Sequence, residues 1–245
     1  MPDTAPALVT RGVTKTYGDL VALEPLDLEI AAGARVVLVG HNGSGKTTLL
    51  RAVAGLLPPE QGNVYTDGEA ALLGVNAALL DDLTGERNVV LGCLAMGMSK
   101  KETREKYPSI VDFSGVGEFV DLPMKAYSSG MGSRLRFAIA ASKSQDILLV
   151  DEALATGDAE FRVKSHARIE ELRQDAGTVF LVAHNLEEVE LTCNRVIWME
   201  RGQIVTQGED VVGIIDRYIE ASGGTPVERD PVTGRRVHSR VPAKT

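Results

Sequence analysis

The octet Gly40-His41-Asn42-Gly43-Ser44-Gly45-Lys46-Thr47 satisfies every fixed position of the pattern G-x-x-x-x-G-K-[ST]. No other stretch restricts the fold as tightly, because the pattern works only where a buried strand turns sharply into a helix. Both flanks supply that context. Arg35-Val36-Val37-Leu38-Val39 is an apolar run of strand length, and Thr47 to Ala54 reads as the helix that follows. The glycines let successive backbone N–H groups face one anion, and the helix N-terminus adds the positive end of its dipole. Lys46 can then reach the β- and γ-phosphates of a nucleotide, and Thr47 can hold Mg²⁺. The candidate contacts are Gly40, His41, Asn42, Gly43, Ser44, Gly45, Lys46, Thr47 and Thr48.

A chain of 245 residues with 44% hydrophobic composition can bury a full core around such a loop, and one α/β domain with an inserted subdomain is expected. The net charge of -8 argues against a general affinity for nucleic acid. No apolar run approaches the ~18 residues of a membrane span, and the amino terminus has no charged-then-apolar signal pattern, so a cytosolic chain is expected. Cys93 and Cys193 lack metal-ligand spacing and read as small buried hydrophobes.

Along the chain, Leu8 to Val13 and Leu26 to Ile30 alternate like paired strands, with Gly18-Asp19 as turn chemistry, which predicts an antiparallel edge. Tyr17 in that turn region can stack on a purine or simply pack. Gly62 to Asp67 reads as a short strand. Thr84 to Met98 and Lys100 to Phe113 have helical spacing and predict an inserted helical subdomain, roughly residues 84–145. Ser128-Ser129-Gly130-Met131 precedes the helix Arg134 to Ala141, and such a start is either a second anion site or an ordinary N-cap.

Ile147-Leu148-Leu149-Val150-Asp151-Glu152 is a buried strand ending in two carboxylates. Ligands gather at the carboxyl ends of such strands, so these acids belong beside the phosphate loop. Asp151 suits a Mg²⁺ position and Glu152 a base that activates water; capping of the next helix explains one acid better than both. A helix over Ala159 to Asp175 and a strand over Thr178 to Val182 follow. The latter leads to His184, whose imidazole can bond a γ-phosphate or the attacking water. A hairpin over residues 195–206 and a helix over Glu209 to Ala221 complete the domain, 8–222. Residues 223–245 carry five basic and two acidic side chains, +3. They read as a flexible basic tail, with contact to anionic lipid as the sharper alternative.

Taken in order, these motifs resemble the ATP-binding subunit of ABC transporters from about Leu8 to Ala221. The resemblance implies the ABC ATPase fold: a P-loop NTPase core with a mixed sheet, an antiparallel β edge subdomain and an inserted helical subdomain. It also implies ATP and Mg²⁺ as ligands and assigns roles. Tyr17 falls at the adenine-stacking position, Gly40 to Thr47 at the Walker A, Ser128 to Met131 in the signature loop and Asp151 at the end of the Walker B. Glu152, Asp158 and His184 match the catalytic glutamate, the D-loop aspartate and the switch histidine. In this family two subunits face head to tail, so that the signature residues of one copy cap the γ-phosphate on the P-loop of the other. A homodimer is therefore implied.

The wording of residues 127–131, 151–161, Leu83 to Asn88 and Asp121-Leu122-Pro123 is similar to the polysaccharide exporters of that family, which move O-antigen, teichoic acid and related lipid-linked glycans. That similarity implies a peripheral subunit on the cytoplasmic face of the membrane, bound to a separate transmembrane permease. A soluble ABC ATPase acting in macromolecular assembly is the alternative, as is the ATPase subunit for another cargo. Met131 stands where glutamine is usual, and Gly157 where leucine is usual; both are wording of the exporter group. The position of the metal-contacting Q-loop glutamine holds Val75 or Asn76, which leaves that contact out of the implied metal set of Thr47 and Asp151. The chain stops where some O-antigen exporters continue into a carbohydrate-binding domain, so recognition of the sugar is expected to lie elsewhere.

Overall fold

The computed structural model describes residues 5–73, 79–151, 158–182 and 186–225. Its first two strands, β1 (Pro6–Tyr17) and β2 (Leu20–Ala31), pair antiparallel across the Gly18-Asp19 turn. Leu26, Leu28 and Ile30 alternate inward while Asp27 and Glu29 face water, the pattern of a strand buried on one side. The next strand, β3 (Arg35–Val39), leads into α1 (Lys46–Val53), and β4 (Gln61–Thr66) returns to the free edge of β1. The result is a three-stranded antiparallel sheet in the order β2-β1-β4.

β3 belongs to a second sheet, with β5 (Ala70–Leu72), β6 (Ile147–Asp151), β7 (Thr178–Val182), β8 (Arg195–Glu200) and β9 (Gln203–Gly208). Its order is β5-β6-β7-β3-β8-β9, parallel except for β9, which returns from β8 as a hairpin. β6 and β7 are buried along their whole length, as a parallel sheet covered on both faces requires. This is the mixed sheet that the sequence predicts. One core cluster lies between the two sheets and α1, with Leu8, Ile30, Leu38, Leu49 and Phe180 among its members.

Between β5 and β6 the chain builds α2 (Gly85–Ala95), α3 (Lys100–Ser114), short 3₁₀ turns at Gly117–Asp121 and Met124–Ala126, and α4 (Ser129–Ala140). Ser99 and Glu102 form a capping box that starts α3, and these hydrogen bonds hold the Glu102 carboxyl below the ordinary carboxylate range. The insert has a core of its own around Val89, Cys93, Ile110, Leu135 and Ile139. It joins the rest through three rings: Phe113 and Phe137 stack at 5.9 Å, and Phe161 of α5 (Ala159–Asp175) meets both edge-on at 5.8 and 5.7 Å. Lys143 adds a polar clip, bonding Glu69 beside β5 and the Met96 carbonyl at the end of α2.

Two further helices, α6 (Leu186–Thr192) and α7 (Val211–Ala221), pack beside β3 and β8. Neither β5 nor α6 is among the elements the sequence predicts. Three residues are too few to display alternation, and a seven-residue helix with three glutamates shows no apolar face of helical length. Cys93 is buried as expected, whereas Cys193 is only half-buried between two clusters.

Candidate functional site

The loop 40–45 leaves the carboxyl end of β3, at the centre of the six-stranded sheet. Gly45 takes the N-cap of α1 with φ 101°, and a Cβ there would stand 2.6 Å from the Ala22 carbonyl oxygen of β2. Only glycine fits so close to a neighbouring backbone. The loop is fastened from the hairpin side too: the Gly202 N–H donates to the Ser44 carbonyl at 3.0 Å. Inside it, the Ser44 N–H donates to the His41 carbonyl at 3.1 Å.

Lys46 reaches back across this turn. Its ammonium donates to the carbonyls of Gly40 (2.7 Å) and His41 (2.9 Å) and to Ser44 Oγ (3.2 Å). Partial burial pushes the Lys46 pKa below its ordinary value, and the nearby Asp151 carboxylate offsets part of that shift. Thr47 Oγ1 donates to Asp151 Oδ2 at 2.9 Å, which joins the start of α1 to the end of β6 across 104 residues of sequence. A hydroxyl and one carboxylate are hard oxygen donors in small number. That set fits Mg²⁺, which keeps several waters and takes phosphate oxygens rather than a full protein cage.

A cavity of about 360 Å³ opens in front of these groups, walled by residues 42–48 and Asp151 on one side and by Tyr17, Leu20 and Val21 on the other. Tyr17 is the last residue of β1 rather than part of a loop, and is 47% exposed. It is part of the cavity lining, and an aromatic ring offers a face on which a purine can stack. Leu20, Val21, Ala22 and Val182 also line the cavity, although no motif marks them. Only their neighbours in the two sheets bring them there.

The remaining predicted residues fall into four sets. Ser128, Ser129, Gly130 and Met131 form the start of α4, with Ser128 Oγ accepting the Met131 N–H at 3.2 Å. None of them lines the cavity. Asp158 caps α5 by accepting the Phe161 N–H at 2.9 Å and pairs with Arg134 of α4 at 3.2 Å. Glu152 and His184 lie outside the described residues, as do Val75 and Asn76. His41 and Gly40 sit at the loop's base. The His41 side chain turns to α7, with Nε2 3.3 Å from Ser222 Oγ, a contact that nothing in the sequence signals.

Residues 23–155 match the family model described as ABC transporter. The chain is similar to the teichoic acids export ATP-binding protein TagH of Shouchella clausii, 39% identical over 83% of this chain and 57% of the relative. It is also similar to the O-antigen export system ATP-binding protein RfbB of Klebsiella pneumoniae, 37% identical over 82% of this chain and 80% of the relative. The chain thus spans little more than half of that TagH, and 36% of the TagH of Bacillus anthracis. Among solved structures, an ATP-binding subunit of an ABC transporter superposes with a TM-score of 0.69 at 21% identity, covering 89% of this chain and 95% of that one. A dimeric ATP-binding cassette in a post-hydrolysis state, bound to ADP and Pi, gives 0.65 at 24% identity, covering 82% and 98%.

Proposed function

The chain belongs to the ABC transporter family, and on that premise we propose that it is the ATP-hydrolysing subunit of a transporter that exports a lipid-linked polysaccharide across the cytoplasmic membrane. The observation that carries the ATPase part is the Lys46, Thr47 and Asp151 constellation at one cavity. The export part is supported by the relatives named for teichoic acid and O-antigen export.

In the proposed reaction the glycine-rich turn receives the phosphates on its N–H groups, and the Lys46 ammonium exchanges loop oxygens for phosphate oxygens. Thr47 and Asp151 would hold Mg²⁺, which when bound neutralises charge on the β- and γ-phosphates. Glu152 takes a proton from the attacking water, and His184 bonds the γ-phosphate. Ser129 and Gly130 act on the nucleotide of a second copy, arranged head to tail, with Asp158 at the same junction. None of the described helices is long and apolar enough to cross a membrane, which suits a peripheral subunit on the cytoplasmic face with a separate permease.

Glu152→Gln tests this. The variant should bind ATP with Mg²⁺, lose turnover by a factor of roughly 10² to 10⁴, and shift to dimer size on gel filtration, while Ser129→Arg blocks the shift. Wild-type turnover in Glu152→Gln, or a dimer that forms equally without nucleotide, counts against the assignment. Depletion in the source cell should strand lipid-linked glycan on the cytoplasmic side; unchanged surface glycan would remove the export part alone.

A further inference from the structure

The phosphate loop touches the last described helix through one side chain. His41 Nε2 lies 3.3 Å from Ser222 Oγ, and its ring centroid is 5.8 Å from that of Tyr218, inclined at 56°. Ser222 Oγ donates its only proton to the Tyr218 carbonyl at 2.7 Å, so toward His41 it is an acceptor for an Nε2–H. Tyr218 is itself held edge-on against Trp198 of β8 at 5.8 Å, and the buried Val211, Ile214 and Ile215 fix α7 to the sheet. The contact therefore has a firm backing. At the other end of the same residue, the His41 carbonyl accepts from Lys46 Nζ and from the Ser44 N–H. Whatever shifts His41 shifts one of the three oxygens that hold the ammonium.

We propose that Ser222 and Tyr218 are positioning residues for nucleotide binding: the end of α7 fixes His41, and His41 fixes the loop geometry from which Lys46 meets the phosphates. The inference rests on the ATP-binding reading above. It makes nucleotide affinity depend on how α7 ends, 181 residues away in sequence from His41. Because the contact is exposed and consists of one hydrogen bond and one ring pair, its loss tunes affinity and does not abolish it.

The test titrates a fluorescent ATP analogue with Mg²⁺ into the full chain and follows steady-state ATP hydrolysis. Ser222→Ala and Tyr218→Ala should raise Kd and KM about three- to tenfold with kcat within twofold. Tyr218→Phe, which keeps the ring, and Ser222→Thr, which keeps the hydroxyl, should stay near wild type. In a His41→Ala background, Ser222→Ala should add nothing. Unchanged affinity in Ser222→Ala and Tyr218→Ala overturns the inference, as does a full Ser222→Ala effect without the His41 side chain, or a loss of kcat at constant KM. If Tyr218→Ala does not fold, the exposed Ser222 series decides alone. A wild-type chain that binds the analogue no better than Lys46→Ala overturns the ATP-binding reading together with this inference. Tight wild-type binding with silent α7 variants overturns this inference only.

Discussion

Replacing Gly45 by alanine tests whether the loop is held by close packing or only by its backbone conformation. At φ 101° an L-residue pays the left-handed penalty of about 1–2 kcal/mol. The new Cβ would also stand 2.6 Å from the Ala22 carbonyl oxygen and 3.1 Å from Leu23 Cδ2. The first of these atoms is backbone near the start of β2, paired in the sheet, and cannot swing aside as a side chain can, so overpacking adds about 1–3 kcal/mol. Gly43 is the internal control: its φ is 80°, and nothing lies within 4 Å of a built Cβ. Gly43→Ala should therefore cost only the conformational part, about 1–2 kcal/mol, and Gly45→Ala about 2–5 kcal/mol. Urea unfolding without nucleotide reads both, since bound ligand would add its own stabilisation. Equal destabilisation by the two substitutions, or a Gly45→Ala cost below about 1 kcal/mol, would refute the packing argument.

Asn88 is buried and clips the turn before α2, accepting the Leu80 N–H and donating to the carbonyls of Leu80, Leu83 and Thr84 at 2.7–3.2 Å. Asn88→Ala strands the Leu80 N–H, while the three carbonyls keep backbone N–H partners from Leu83, Met124 and residue 88 itself, and should destabilise by about 1–3 kcal/mol in the same unfolding assay; a loss under about 1 kcal/mol would show the clip to be incidental. Burial lowers the Lys46 pKa, and phosphate binding uses the ammonium, so ATP affinity should fall as pH rises through a range that lies below 10.5. Lys46→Arg should flatten that fall, because guanidinium stays charged, and Asp151→Asn should move it to lower pH by removing the charge that raises the Lys46 pKa. A decline that begins only above 10.5 would refute the shift. On α2, Val90, Leu91 and Leu94 leave apolar surface exposed. If the proposed permease docks on this face, Leu91→Asp should keep the fold and ATP binding and lose a co-purifying membrane partner; retention of that partner would show that this face of α2 does not hold it.

The elements that the sequence predicts are those whose burial leaves a period. β2 alternates because one face is covered, β6 and β7 are continuous apolar runs because both faces are, and α3 carries apolar residues at helical spacing. The strand β5 is legible only from its partner, since its three residues borrow their order from the β6 ladder. The same division runs through the candidate site. That Asp151 ends beside Thr47 follows from the rule that strand carboxyl ends converge, and the structure brings them to 2.9 Å. The clamp of Gly202 on Ser44 and the contact of Ser222 with His41 have no such rule behind them. Each joins segments distant in sequence, through one hydrogen bond and without a motif.

On the proposed reading, the need for a second copy follows from where the hydroxyls near the phosphate loop and at the start of α4 are committed. Ser128 Oγ is committed to its own helix, accepting the Met131 N–H, and Asp158 is committed to α5 and to Arg134. These bonds do not complete the cavity in front of Lys46; they stiffen the start of α4 and dock it against the start of α5. A helix start leaves N–H groups without intrahelical partners and a positive dipole end, which favours an anion brought to it from outside. Within one chain, Ser128 to Met131 are absent from the lining of the nucleotide cavity. On the proposed reading a phosphate reaches them only from another molecule, so the γ-phosphate becomes the group that both copies hold. On that reading, hydrolysis followed by release of the phosphate removes the shared group and loosens the dimer. The Glu152→Gln and Ser129→Arg pair therefore tests more than catalysis: it asks whether the hydroxyl and glycine at the start of α4 have any partner but the nucleotide of a facing copy.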